Sequence, residues 1–249
     1  MGVGDDGAGH ARSRRVGSAA ALAIACAACA GDPLQPIVAP ASPPAGTVLE
    51  WRTVNAYNGE PRAPVRQRID AAGSRVEGVD FRDASEAPFG HDRAPVVAWR
   101  LDARGDLAAV ERADGSQTRY TPSLPLLPPR LAPGARSRAV VTATEDDGRA
   151  PRRMVITTRV AGWETVRVPA GEFRALRILR DWDLGDGAMH RTAMLRQEVD
   201  WYAPREGAVV RREETSVFYD TSTGGGEGGG WLPRAGDWLR WELLAVTRP

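Results

Sequence analysis

From residue 47 to residue 247 apolar and polar positions alternate in short runs, and no apolar stripe of helical period lasts the length of a helix. The runs are rich in β-branched and aromatic residues and are closed by turn residues, the pattern of strands that bury one face. They fall at 47–57, 64–71, 75–82, 96–102, 107–112 and 117–121, then at 138–144, 152–160, 164–168, 172–180, 194–202, 208–219 and 238–247. Short links between so many strands predict an all-β fold, a curved antiparallel meander forming a barrel, a half-barrel or a sandwich.

The turns carry their own signals. Asn58-Gly59 suits a two-residue hairpin because both residues tolerate positive φ. In Pro169-Ala170-Gly171 the proline presets φ, and Gly171 suits the left-handed position of a three-residue loop. Pro204 to Gly207 repeats that chemistry. Between 121 and 134 five prolines alternate with leucines. Proline cannot donate to a sheet ladder, so this stretch reads as a crossing loop or an edge, or as a boundary between two β subdomains.

The first thirty residues are an address. Arg12, Arg14 and Arg15 precede an apolar run at 16–25, and small residues surround Cys26 and Cys29, the order of a secretory signal. The run is too short to span a bilayer, which takes about 20 residues. Ala23-Ile24-Ala25-Cys26 resembles a lipobox, with Cys29 a second candidate for lipidation; an ordinary signal peptide cut near Ala28 or Ala30 is the alternative. The expected organisation is a lipoprotein-type signal peptide at 1–25, a Pro-rich tether at 26–46 and a single β domain at 47–249. An N-terminal palmitate-bearing anchor would hold the chain at a membrane facing the periplasm. No aspartate follows either cysteine, which favours the outer membrane by resemblance to Gram-negative sorting rules.

Charge narrows the partners. The chain has no lysine; its 33 basic residues are all arginine, and 32 acidic residues are interleaved with them. A net charge of +1 argues against nucleic acid as the main partner. With both cysteines near the N-terminus, the body has no disulfide framework, zinc site or thiol nucleophile.

Candidate chemistry is sparse. His91 and His190 sit in turn-rich stretches, and neither H-E-x-x-H nor G-x-S-x-G occurs. Asp181, Asp183 and Asp186 share a loop, but an EF-hand would want an acid or amide at 185, Gly at 186 and Glu at 192, where Gly185, Asp186 and Thr192 stand. The glycine loop at 224–230 lacks the lysine of a phosphate-binding loop. Glu164, Glu172, Glu198 and Asp200 alternate with other residues along strands, which places them on a wet face. No catalytic residue, metal or cofactor is expected.

Tryptophan is the distinctive residue, at 51, 99, 163, 182, 201, 231, 238 and 241. Such rings commonly fill a β core. In a regular strand, however, Trp238 and Trp241 point to opposite faces, so one of them must serve a second surface. Trp182, Trp238 and Trp241 are the candidate ligand-binding residues.

At 163–173 the chain reads W-E-T-V-R-V-P-A-G-E-F, and at 201–204 it reads W-Y-A-P, followed by Gly207 and Val209-Val210. With Asn55-Ala56-Tyr57-Asn58-Gly59 and Leu131-Ala132-Pro133-Gly134, this resembles a group of uncharacterised proteobacterial exported envelope proteins. The resemblance implies a curved antiparallel sheet similar to the half-barrel of periplasmic lipoprotein carriers. It implies no reaction; its recurrent residues serve turns. The expected function is a non-catalytic envelope lipoprotein that binds an apolar or amphipathic ligand on a curved sheet. The alternatives are an accessory lipoprotein docking on another envelope protein and a carbohydrate-binding surface.

Overall fold

A computed structural model describes residues 40–249 apart from 63, 72, 78–95, 147, 149, 186–190 and 221–231. The expected signal peptide, most of the expected tether, Cys26, Cys29, His91, His190, Asp186, Trp231 and the glycine loop lie outside the described residues. Among those described, twelve strands follow one another: β1 (Val48–Asn55), β2 (Val65–Asp70), β3 (Gly73–Glu77), β4 (Val96–Leu101), β5 (Leu107–Arg112), β6 (Gln117–Leu124), β7 (Arg136–Glu145), β8 (Arg152–Val168), β9 (Gly171–Asp183), β10 (Arg191–Ala203), β11 (Ala208–Asp220) and β12 (Leu232–Thr247).

Each strand pairs antiparallel with the next, and β1 pairs with both β2 and β12, so the meander closes into a barrel. Closure removes the sheet edges that an open meander would expose. Among the described residues, the β3–β4 seam has the fewest register partners, three: Gly73↔Arg100, Ser74↔Trp99 and Arg75↔Ala98.

The separate runs at 152–160 and 164–168 are one strand of 17 residues, β8. Its register shifts between Val160 and Gly162. Around that bulge Gly162, Trp163 and Glu164 are all half-buried, so the alternation lapses there although the strand continues, with Val160 and Val166 buried on either side.

Side chains of one parity fill the interior. Leu49, Trp51 and Thr53 of β1, Met154, Ile156, Thr158 and Val160 of β8, and Ile178, Arg180 and Trp182 of β9 are all buried. The main apolar cluster joins Trp51, Val110, Tyr120, Met154, Trp182, Met194 and Leu243. A smaller one gathers Leu131, Val160, Leu176, Ile178 and Tyr202.

The Pro-rich stretch is part strand and part crossing loop. β6 runs through Pro122 to Leu124, with Thr118–Thr121 paired to β7 and Leu124 to Leu107. The ladder skips Pro122, which has no N–H to give. Leu131, at the far end of the loop, is completely buried.

Two turns differ from the reading of the sequence. Asn58-Gly59 lies in a longer turn, with Gly59 N–H donating to Asn55 O and Asn55 N–H to Glu60 O. Gly59 has φ +74, while Asn58 is not among the residues of positive φ. The side chains select this turn: Asn55 Oδ1 accepts Tyr57 N–H, and Asn58 Oδ1 accepts Glu60 N–H. In the β8–β9 hairpin Val168 pairs with Gly171, leaving Pro169 and Ala170 as a two-residue turn; Gly171 takes φ +137 rather than the left-handed helical value. That tip reaches across to β12, where Ala170 N–H donates to Leu243 O. Between β10 and β11, Pro204 O accepts Gly207 N–H and Gly207 has φ +66.

Candidate functional site: an interior cavity above a buried ion network

Core packing leaves a cavity of about 580 Å³ inside the barrel. One wall is apolar, with Leu49, Trp51, Val65, Trp99, Leu107 and Trp241. The crossing loop contributes Pro125, Leu126 and Leu127. Another part of the lining is charged, with Arg180 from β9, Arg196 and Glu198 from β10, and Arg212 and Glu214 from β11.

These charges belong to a network of three guanidiniums and three carboxylates. Arg180 Nη1 donates to Asp200 Oδ2 at 2.5 Å and also to Glu198 Oε1. Its Nη2 donates to the carbonyl of Leu126, tying the crossing loop to the wall. Arg212 grips Asp200 with two bonds, Nε to Oδ1 at 2.7 Å and Nη2 to Oδ2 at 3.0 Å. Arg196 Nη2 is shared between Glu198 Oε2 at 2.5 Å and Glu214 Oε2 at 2.9 Å. The Arg180 side chain is 3% exposed, Glu198 2% and Asp200 0%. The expectation of a wet face for Glu198 and Asp200 is therefore corrected. Charge balance across three neighbouring strands is what lets them stay inside.

The network spreads its carboxyls in opposite directions. Burial alone would raise Asp200, but Arg212 and Arg180 outweigh it and hold it well below the usual carboxylate range. Burial raises Glu214, aided by Glu198 and Asp200 and opposed by Arg196 and Arg212. A carboxyl with a raised folded-state pKa binds its proton more tightly in the folded state, so its contribution to stability is lost as pH rises. Glu214→Gln removes that loss. Its unfolding free energy relative to wild type should therefore climb as pH rises above about 4.3, and urea titrations from pH 4 to 8 check it. A difference that stays flat would mean that Glu214 ionises freely.

Pro40, Ala41, Ser42 and Pro43, from the end of the segment expected to be a tether, form part of the cavity wall. The Tyr202 hydroxyl fastens this strap twice, accepting Ala41 N–H at 2.9 Å and donating to Ala41 O at 2.8 Å. Gly207 lets it lie close, since a Cβ there would stand 2.9 Å from the carbonyl carbon of Ser42. Tyr202 and Gly207, read as hairpin residues, thus also hold the strap. The same motif region makes a second internal contact, from Trp201 Nε1 to Glu164 Oε2 at 2.8 Å. Arg177 and Arg211 stack on the Trp201 ring.

Of the candidate ligand residues, Trp182 and Trp241 line the cavity, whereas Trp238 lies on the opposite face of β12. There it meets the ring of Tyr57 edge-on, with centroids 5.3 Å apart. Asn58, Gly59, Pro169 and Pro204 stand in turns and Gly171 at the start of β9, and none of them lines the cavity. The charged wall is the part that sequence reasoning missed. Its signal was the shared parity of Arg196, Glu198 and Asp200, repeated by Arg212 and Glu214 on the neighbouring strand.

No family model matches the chain, and no curated protein matches it by sequence. Three solved structures resemble it. A candidate lipoprotein from Parabacteroides distasonis is 14% identical, with a TM-score of 0.42 over 86% of this chain and all of that one. The hypothetical lipoprotein YmcC from Escherichia coli is also 14% identical, with a TM-score of 0.41 over 82% of this chain and 85% of its own. A candidate exported protein with a YmcC-like fold from Bacteroides fragilis gives 14% identity and 0.36 over 85% of this chain and all of that one.

Proposed function

We propose that the chain is a non-catalytic envelope lipoprotein whose barrel holds an apolar or amphipathic ligand inside it. The observation that carries this reading is the cavity itself, apolar on one wall and charged on another part of its lining. Its volume falls within the ~300–1,000 Å³ of small-molecule sites, which are mostly apolar with a few placed polar groups. Glu198 and Asp200 are committed to guanidiniums, which leaves neither poised as a general acid or base. The outer face carries cross-strand ion pairs such as Arg100–Glu111 at 2.8 Å and Arg66–Glu50 at 3.7 Å. A barrel seated in a bilayer would instead present an apolar band outward, so this one suits the aqueous periplasm. Cys26 or Cys29 would carry the palmitate-bearing anchor to the outer membrane, and the tether would lead from there to the strap.

The docking alternative has less to stand on. Leu195 and Val217 face each other across β10 and β11, exposed at 48% and 39%, but two side chains fall short of a patch of several hundred Å². A carbohydrate surface would need an open tryptophan face, and Trp238 is engaged by Tyr57.

Filling the cavity tests the reading. Ala139 of β7 lines it, and Ala139→Phe should weaken binding of N-phenyl-1-naphthylamine by the full chain about tenfold or more. Melting should fall by about 2–12 °C, since overpacking costs about 1–3 kcal/mol and each kcal/mol moves a domain of this size by about 2–4 °C. Undiminished probe binding would place the ligand elsewhere.

A further inference from the structure

The cavity's charged wall carries donors that the protein does not use. Trp182 Nε1 and Arg196 Nε are buried and have no hydrogen-bond partner among the described residues, although both side chains line the cavity. The residues are 7% and 4% exposed. They lie together, with the Arg196 guanidinium carbon 5.1 Å from the centre of the Trp182 ring. A buried donor without an acceptor loses its hydration and gets nothing in return, so two side by side mark a place for an acceptor. Water can fill that place in an empty polar pocket, and a ligand atom can displace it.

The network decides what kind of acceptor fits. Its three guanidiniums are matched by the three carboxylates of Glu198, Asp200 and Glu214. A free carboxylate entering beside Arg196 would add a fourth negative charge to the network, adjacent to Glu198 and Glu214, where Arg196 is already shared between two carboxylates. The other arginines of the lining, Arg104 and Arg138, are exposed side chains outside the network. A carbonyl oxygen adds no charge and has two lone pairs, one for each N–H. Resting on the cavity reading above, we propose that the ligand's polar end is an uncharged acyl carbonyl, an ester or amide, that accepts hydrogen bonds from Trp182 Nε1 and Arg196 Nε. Its acyl chain lies along the apolar wall of Trp51, Leu107 and Trp241. The ligand class is therefore an acyl ester or amide rather than a free fatty acid.

Matched amphiphiles test this on the full chain, by displacement of N-phenyl-1-naphthylamine. The probes are 1-monopalmitoylglycerol, its ether 1-O-hexadecylglycerol, which lacks the carbonyl, and palmitate. The ester should displace the dye at about a tenfold lower concentration than the ether, with palmitate weaker than the ester. Trp182→Phe keeps a ring and removes the N–H, so it should narrow the gap between ester and ether by weakening the ester alone. Equal displacement by ester and ether, or a preference for palmitate, overturns the carbonyl assignment while leaving the cavity reading intact. If none of the three displaces the dye, the cavity reading falls with it. Should Trp182→Phe not fold, the comparison on the wild-type chain decides.

Discussion

Asp200→Ala should lower the free energy of unfolding by about 3–5 kcal/mol. Asp200 is fully buried and accepts hydrogen bonds from both Arg180 and Arg212. Its removal leaves two guanidiniums sharing fewer carboxylates, and buried charge without a partner is what makes breaking such a network costly. Against a typical total of about 5–15 kcal/mol, that is a large fraction of the stability of the fold. The matching control is Glu172→Ala, which breaks the Arg167–Glu172 pair at the exposed hairpin tip, where the side chains are 86% and 52% accessible. It should change stability by about 0.5 kcal/mol or less. Urea unfolding followed by tryptophan fluorescence compares the two. Similar costs for both would mean that water reaches the network.

Gly73→Ala should be the most damaging single-methyl change, at about 2–6 kcal/mol. Gly73 opens β3 with φ +151, a conformation that costs an L side chain about 1–3 kcal/mol. A Cβ there would also stand 2.0 Å from the carbonyl oxygen of Trp99, so the β3–β4 backbone must move apart, at a further 1–3 kcal/mol or so. Gly73 supplies one of the three register pairs of that seam, and both Gly73 and Trp99 line the cavity. The variant should therefore lose protection of the seam amides in hydrogen exchange and bind N-phenyl-1-naphthylamine more weakly. Wild-type exchange at Arg75 and Ala98 would contradict the close approach of the two strands.

The strands were legible in the sequence because alternation and turn residues are local signals, and an all-β meander followed from them. Closure was not legible. Nothing in the pattern of residues 48–55 says that they pair with residues 239–247, two hundred positions away. The bulge in β8 hid a long strand because Gly162, Trp163 and Glu164 around it are all half-buried and break the alternation. On β10 parity was visible but its sign was misread. Apolar Leu195 is exposed while Arg196, Glu198 and Asp200 are buried, the reverse of the usual assignment. A single strand cannot reveal that, because the partners neutralising its charges, Arg180 and Arg212, come from the strands on either side. Trp182 and Trp241 were picked out as aromatic residues able to meet a ligand. The donor beside them, Arg196, was marked only by its charge and by the parity it shares with Glu198 and Asp200.

Native mass spectrometry of the full chain, isolated gently from its own envelope, tests the central claim most directly. A non-covalent adduct of acyl-ester or acyl-amide mass is expected, released on unfolding and missing from Ala139→Phe. A bare protein, or an adduct retained equally by the filled variant, would contradict a ligand held inside the barrel.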